Sequence, residues 1–274
     1  MTGGAELASP QWPRHSAGAI IASAALLAAL AQIAGIGAIL LVGGMFFAAG
    51  LAHGAALEDG RTLAAYTIPE AVAYVALAIG FAGLFIALPF AGLVAFLALS
   101  AWHFAAAGRP RGHHPQSAIA LALVIIGGGA LFWPDTTRDI FTRLTGAPIP
   151  SLFMTGLATL GAIGIVMAMA ARLKHRRGSR AAIAAVLAGV LLHPVLAVGL
   201  SFLAFHALPE TIRQLERFGP GPTFAAVLPT LVLAAIGGMI VAGLVFGGVI
   251  SLPVAAALAV GMTVPHMLAG DLRP

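Results

Sequence analysis

Cysteine is absent from all 274 residues. That excludes disulfides, thiolate metal ligands and iron–sulfur clusters, so any bound metal must be held by histidine, carboxylate or water. Charge is scarce as well. Lys and Arg total 14 and Asp and Glu total 9, together 8% of the chain, where a soluble domain carries about 25%. A chain that is 60% hydrophobic, with a mean hydropathy of +1.02, cannot hide its apolar surface in water at this length. The short apolar–polar alternation of a membrane β-barrel is missing too. What remains is an all-α, polytopic integral membrane helical bundle. Lysine occurs once against thirteen arginines, and these bases lie in short loops rather than on one soluble face, which argues against a nucleic-acid partner.

Apolar runs fall at about 17–34, 36–57, 67–86, 89–107, 116–133, 151–172, 181–207, 223–247 and 249–269. Each approaches the ~20 residues needed to cross a hydrocarbon core of ~30 Å. The count is about eight or nine hydrophobic segments, depending on whether the first two form one long tilted helix. Residues 1–16 read as a polar N-terminal segment, 17–270 as a single transmembrane helical domain and 271–274 as a C-terminal tail. The N-terminal segment lacks the basic-then-apolar order of a cleaved signal peptide, so the first apolar helix is expected to act as an uncleaved insertion signal. The densest basic loop, 172–180, is expected to face the cytoplasm of a bacterial-type inner (plasma) membrane. The loop with Arg109, Arg111, His113 and His114 should share that side if two spans separate the loops. Pro194 can break the seventh segment, giving a helix in two parts from about 181 to 216. The 34 glycines suit close helix packing in lipid.

Against this apolar background stand five histidines inside hydrophobic segments: His53, His103, His193, His206 and His266. Ionisable groups at such depth are functional candidates by default. Each also has a plainer reading. His53, in Ala52-His53-Gly54, and His103, in Ser100-Ala101-Trp102-His103-Phe104, are otherwise interfacial residues near helix ends. His206 and Glu210 are four apart and so share a helix face, where they can bind one metal ion or simply hydrogen-bond to each other. His266, between Pro265 and Met267, can be a ligand, a donor that orients a ligand, or a packed residue, with the orienting role ranked first. His193, directly before Pro194, reads as structural. His15, His113, His114 and His175 lie in polar loops and read as solvated. Several imidazoles with a carboxylate suit iron, zinc or copper.

The motifs Ala52-His53-Gly54, Ser100 to Phe104, Phe202 to His206 and Pro265-His266-Met267 resemble, in order and rough spacing from about residue 45 to 270, the Brp/Blh family of membrane β-carotene 15,15′-dioxygenases. The resemblance implies a multi-helix membrane enzyme, an oxidoreductase. It would use one non-haem Fe(II), with O2 as co-substrate, to cleave β-carotene at its central double bond into two retinal molecules. Its substrate would be a lipophilic small molecule drawn from the bilayer, and the retinal could be handed to a rhodopsin. Carried over by position, His53, His103 and His206 would be iron ligands. Three departures accompany this. The family places a histidine where this chain has Glu210, which then joins the candidate ligands. It places an aspartate where this chain has Leu57, with Glu58 and Asp59 just beyond. Ala105-Ala106-Ala107-Gly108 replaces the glycine and acids that follow the family's His-Phe. His266, Glu58 and Asp59 are the candidates for orienting the ligand imidazoles or serving as alternative ligands. Trp102, Phe104, Phe202, Phe205 and Met267 are the candidate substrate pocket. No catalytic residue beyond the metal ligands is expected.

One conflict follows from counting spans. Nine simple crossings put His53 and His103 toward one side and His206 and His266 toward the other, yet ligands of one metal share a depth. The His193-Pro194 break is the place where the count would have to change. Two other classes stay open: a non-enzymatic carrier of a lipophilic molecule or metal, which would string polar groups along the membrane depth, and a zinc-dependent intramembrane hydrolase, which would need a carboxylate beside the metal.

Overall fold

The structure, a computed structural model, describes residues 14–51, 68–109 and 111–271. Among these the secondary structure is helical: α1 (Arg14–Ala34), α2 (Ile36–Leu51), α3 (Ile68–Ala87), α4 (Pro89–Ala106), α5 (Pro115–Phe132), α6 (Pro134–Thr145), α7 (Ser151–Leu173), α8 (Ser179–Leu191), α9 (Pro194–Phe202), a π-helical turn (Leu203–Ala207), α10 (Leu208–Phe218), α11 (Pro220–Phe246) and α12 (Leu252–Asp271). Proline opens α4, α5, α6, α9 and α11 at their first position, where its missing N–H is one the helix leaves unbonded anyway. Among the described residues seven helices are long and apolar enough to cross a membrane: those over Ala17–Ala34, Ile68–Ala87, Pro89–Ala106, Pro115–Phe132, Ser151–Leu173, Pro194–Phe218 and Pro220–Phe246. Shorter apolar helices cover Ile36–Gly50, Ser179–Leu191 and Leu252–Pro265. The outer surface is apolar in the same measure: Ile33, Leu152 and Phe246 are each at least 85% exposed. In water so large a patch would aggregate; in a bilayer it is the complementary surface, and the protein is an integral membrane helical bundle.

The open choice for the first two segments is decided, and the seventh breaks at Pro194 as expected. The first two are separate helices that bend at Gly35, whose φ of +103° lies where only glycine is unstrained. The seventh is interrupted. Leu192 turns extended at the end of α8, and Pro194 starts α9. A twelve-residue helix, α6, occupies a stretch expected to be a loop, and it ends on Gly146 in the left-handed conformation.

The direction of each helix follows from its contacts. α5 and α7 run antiparallel with backbones touching: a Cβ on Gly161 would lie 2.7 Å from the Gly127 carbonyl, and one on Gly164 would lie 2.9 Å from the Val124 nitrogen. α5 begins where the His114 N–H donates to the Arg177 carbonyl at 3.1 Å, so the 107–114 and 172–180 loops sit at the same end, as the two-span count expects. α8 descends from there to Gly189, whose carbonyl accepts from Trp133 Nε1 at 2.9 Å. Its 13 residues span only about 20 Å, short of a ~30 Å core. α9 then climbs back beside α2, with Val195 against Gly43, Phe46 against Gly199 and Phe202 against Gly50. This reversal resolves the span conflict: it returns His206 to the end of the bundle where α4 carries His103.

A broken helix frees backbone groups that water cannot satisfy inside a bilayer. Here Gln32 of α1 closes both sides of the break. Its Nε2 donates to the Leu191 carbonyl at 2.9 Å, and its Oε1 accepts the His193 N–H at 2.5 Å. His193 in turn caps α9, its Nδ1 accepting the Val195 N–H at 3.4 Å, a structural role. His114 does the same for α5 through Gln116, so it is a cap rather than a solvated loop residue. His113 is half-buried against Gly178. Two stability outcomes are expected in detergent. Gln32→Leu, which leaves the Leu191 carbonyl and the His193 N–H without this partner in an apolar span, should lower stability by about 1–3 kcal/mol per group. Gly161→Val should cost about 1–3 kcal/mol or more by forcing α5 and α7 apart. Thermal unfolding of the purified chain checks both.

Candidate metal and substrate site

Two imidazoles meet at the basic end of the bundle. His103 stands in the last turn of α4 and His206 in the π-helical turn. Their Nε2 atoms are 3.1 Å apart, although 103 residues separate them. With one ring protonated at Nε2, this is a hydrogen bond. Imidazole–metal bonds of about 2.1 Å place cis nitrogens about 3.0 Å apart at a right angle and about 3.4 Å apart at a tetrahedral angle, so the observed separation fits an edge of a coordination shell.

Aromatic rings hold the pair. Phe202 stacks on His206 at 5.3 Å between centroids and 17° between planes. Phe104 packs edge-on against both His206, at 5.5 Å, and Phe202, at 5.8 Å. Phe202 is itself set by Gly50: a Cβ there would collide with the ring. α2 therefore delivers the chain at Gly50 beside the ring that supports His206. His53, Glu58 and Asp59 follow and lie outside the described residues. His266 belongs to α12, but its side chain is likewise outside them.

The π-helical turn has a cause in the sequence. In α-helical register the Phe205 carbonyl would accept from residue 209, which is a proline and has no N–H. The chain instead forms wider bonds, such as Leu208 N–H to the Leu203 carbonyl, and the donor comes from elsewhere. Arg111 Nη1 donates to the Phe205 carbonyl at 2.7 Å, and Nη2 donates to the His206 carbonyl at 2.9 Å. Burial holds the Arg111 guanidinium below its usual pKa, Glu210 nearby pushes it back up, and Arg213 opposes. Neither Arg111 nor Pro209 is singled out by sequence reasoning. Arg111 passes for a topology charge, and the only available signal was a proline four residues after Phe205.

The remaining candidates are placed as follows. Glu210 is buried, and its carboxylate accepts three bonds from Arg213, the shortest 2.7 Å, and one from Gln214 at 3.4 Å. Trp102 is 41% exposed on the outer surface, a third of a turn around α4 from His103. Met267 is buried and accepts from Ser100 Oγ at 3.9 Å, one turn below His103. Phe205 lines an open apolar groove of about 460 Å3 between α1, α8, α9 and the π-helical turn. Among the described residues no group of three or more His, Asp or Glu side chains could hold a metal ion; the pair His103–His206 is what the structure brings together.

Gly50→Val is expected to push Phe202 off His206 and open the pair while leaving the chain inserted. Loss of at least tenfold in any activity of the site, at near-parental yield in the membrane, is the outcome to look for; overpacking of this kind costs about 1–3 kcal/mol.

Comparison with known proteins adds one finding. The family model described as beta-carotene 15,15'-dioxygenase matches residues 44–272, which runs from within α2 through α12 and leaves α1 ahead of it. No curated protein and no solved structure matches the chain. The match spans most of the chain, which belongs to the beta-carotene 15,15'-dioxygenase family.

Proposed function

We propose that this family member cleaves β-carotene at its central double bond, with O2, at a non-haem Fe(II) held by His103 and His206 together with His53. The observation that carries the reading is the 3.1 Å approach of two Nε2 atoms from α4 and the π-helical turn, clasped by Phe104 and Phe202. The iron, when bound, supplies the electronic route by which O2 reacts with an alkene. The chain supplies the rest. The two imidazoles present nitrogen donors. Phe104 and Phe202 keep water from them and offer flat apolar faces to a polyene. The central carbon–carbon double bond breaks and each of its carbons takes one oxygen atom, so one β-carotene and one O2 yield two retinals without a further reductant.

The surroundings support a lipophilic substrate. Apolar helices surround the pair, and the outer surface of the bundle is open to lipid. The basic end, with Arg109, Arg111, Arg172, Lys174, Arg176, Arg177 and Arg180, is read as cytoplasmic by the positive-inside rule, which puts the histidines near the cytoplasmic face of an inner membrane. Retinal released there can pass to a rhodopsin. Glu210 fits zinc-dependent hydrolysis poorly, because a water-activating carboxylate needs free oxygens and both of its oxygens accept from Arg213.

The test is expression in a bacterial host that accumulates β-carotene, with chromatography of the extracted pigments. Retinal should appear with the parent chain. It should fall by more than about 100-fold with His103→Ala or His206→Ala, beyond the 10–100-fold that loss of an outer hydrogen-bond partner produces. Intact β-carotene beside well-expressed, iron-loaded parent would sink the reading. Full activity in either variant would strike that residue from the ligands.

A further inference from the structure

We infer that Arg111 is a positioning residue for His206: its guanidinium takes over hydrogen bonding that Pro209 cannot provide and so fixes where the His206 imidazole points. The inference rests on the reading of His103 and His206 as the reacting centre.

Three observations carry it. First, the bonds go to the two carbonyls that flank the His206 backbone, Phe205 at 2.7 Å and His206 itself at 2.9 Å. A single planar group spanning both fixes the orientation of the peptide planes on either side of the residue. The direction of the Cα–Cβ bond, and with it the ring, follows. Second, the turn is π-helical, a rare form that recurs at functional sites. Third, Arg111 lies in the loop after α4, eight residues beyond His103. The same chain segment thus carries one imidazole and orients the other, which couples their separation directly. Glu210, one turn beyond His206, supplies a nearby counter-charge to the guanidinium. Lysine could not replace this arrangement, since one ammonium cannot span two carbonyls with a rigid planar fork.

The experiment uses the full chain in detergent micelles, with Co(II) alone as an optical probe of histidine coordination, beside pigment-cleavage kinetics and thermal unfolding. R111Q is expected to weaken Co(II) binding about 10–100-fold and to lower kcat by a similar factor, the usual cost of removing a group that orients a ligand. KM for β-carotene should stay within roughly twofold. R111K should fall between R111Q and the parent. R109Q, which removes the same charge from the same loop at an exposed position, should match the parent in every readout. Parental Co(II) affinity and kcat per folded molecule in R111Q would overturn the inference, even with a lowered thermal midpoint, since a purely structural arginine behaves that way. A loss confined to KM would overturn it as well. Absence of Co(II) binding in the parent chain would overturn the histidine centre itself, and the inference with it.

Discussion

Inside a bilayer every backbone N–H and C=O must find a partner within the protein, and this architecture turns on how that demand is met where proline interrupts a helix. Pro194 and Pro209 lie fifteen residues apart on one continuous stretch. The first sits at a full reversal of the chain, the second beside a π-helical turn. Each leaves main-chain groups without helical partners, and each is repaired by one long polar side chain from elsewhere in the sequence. Gln32 reaches across from α1 to the reversal, and Arg111 reaches from the α4–α5 loop to the π-helical turn. The two repairs serve successive purposes. The reversal brings His206 to the right end of the bundle. The π-helical turn sets it toward His103.

Between these points small residues decide the distances. Gly127 and Gly161 allow α5 and α7 to touch backbone to backbone, which builds a rigid pair at the centre without large side chains. Gly43, Gly199 and Gly50 let α2 lie along α9. The last of them leaves room for Phe202, and Phe202 supports His206. Packing in the apolar core is thereby transmitted to the orientation of one imidazole through a single ring. Since lipid is as apolar as the side chains, such shape matching, rather than hydrophobic burial, is what holds helices together here.

The site combines two kinds of surroundings. On one side are two imidazoles in an aromatic clasp, a pair whose nitrogens can coordinate a metal and whose surroundings are apolar. On the other are Arg111, Glu210 and Arg213, a charged cluster that faces the main chain more than the imidazoles. Glu210 belongs, by its contacts, to the second group. Its spacing from His206 satisfies the geometry of a metal-binding pair, but its oxygens are engaged with Arg213 and Gln214. Spacing on a helix says which residues share a face, and the neighbours on other helices decide what each one binds.

The class of this protein is legible in its composition, because so little charge and so much apolar length has one physical outcome in a cell: helices in a membrane. The long spans are legible for the same reason, and so is the candidacy of His103 and His206, since imidazoles are costly in hydrocarbon. The kinked start, the short α8, the amphipathic α6 and the reversal at His193-Pro194 depend on cooperation between distant segments, and a span count taken along the chain put the histidines at opposite ends. Arg111 was hidden for a related reason: in the sequence it is one base among several in a loop, and its meaning comes only from two carbonyls 94 and 95 residues away. The sequence by itself determined that polar groups would sit in an apolar bundle. Only the tertiary structure decided which of them meet, because in hydrocarbon each polar group is satisfied by whatever partner the packing of helices brings within reach.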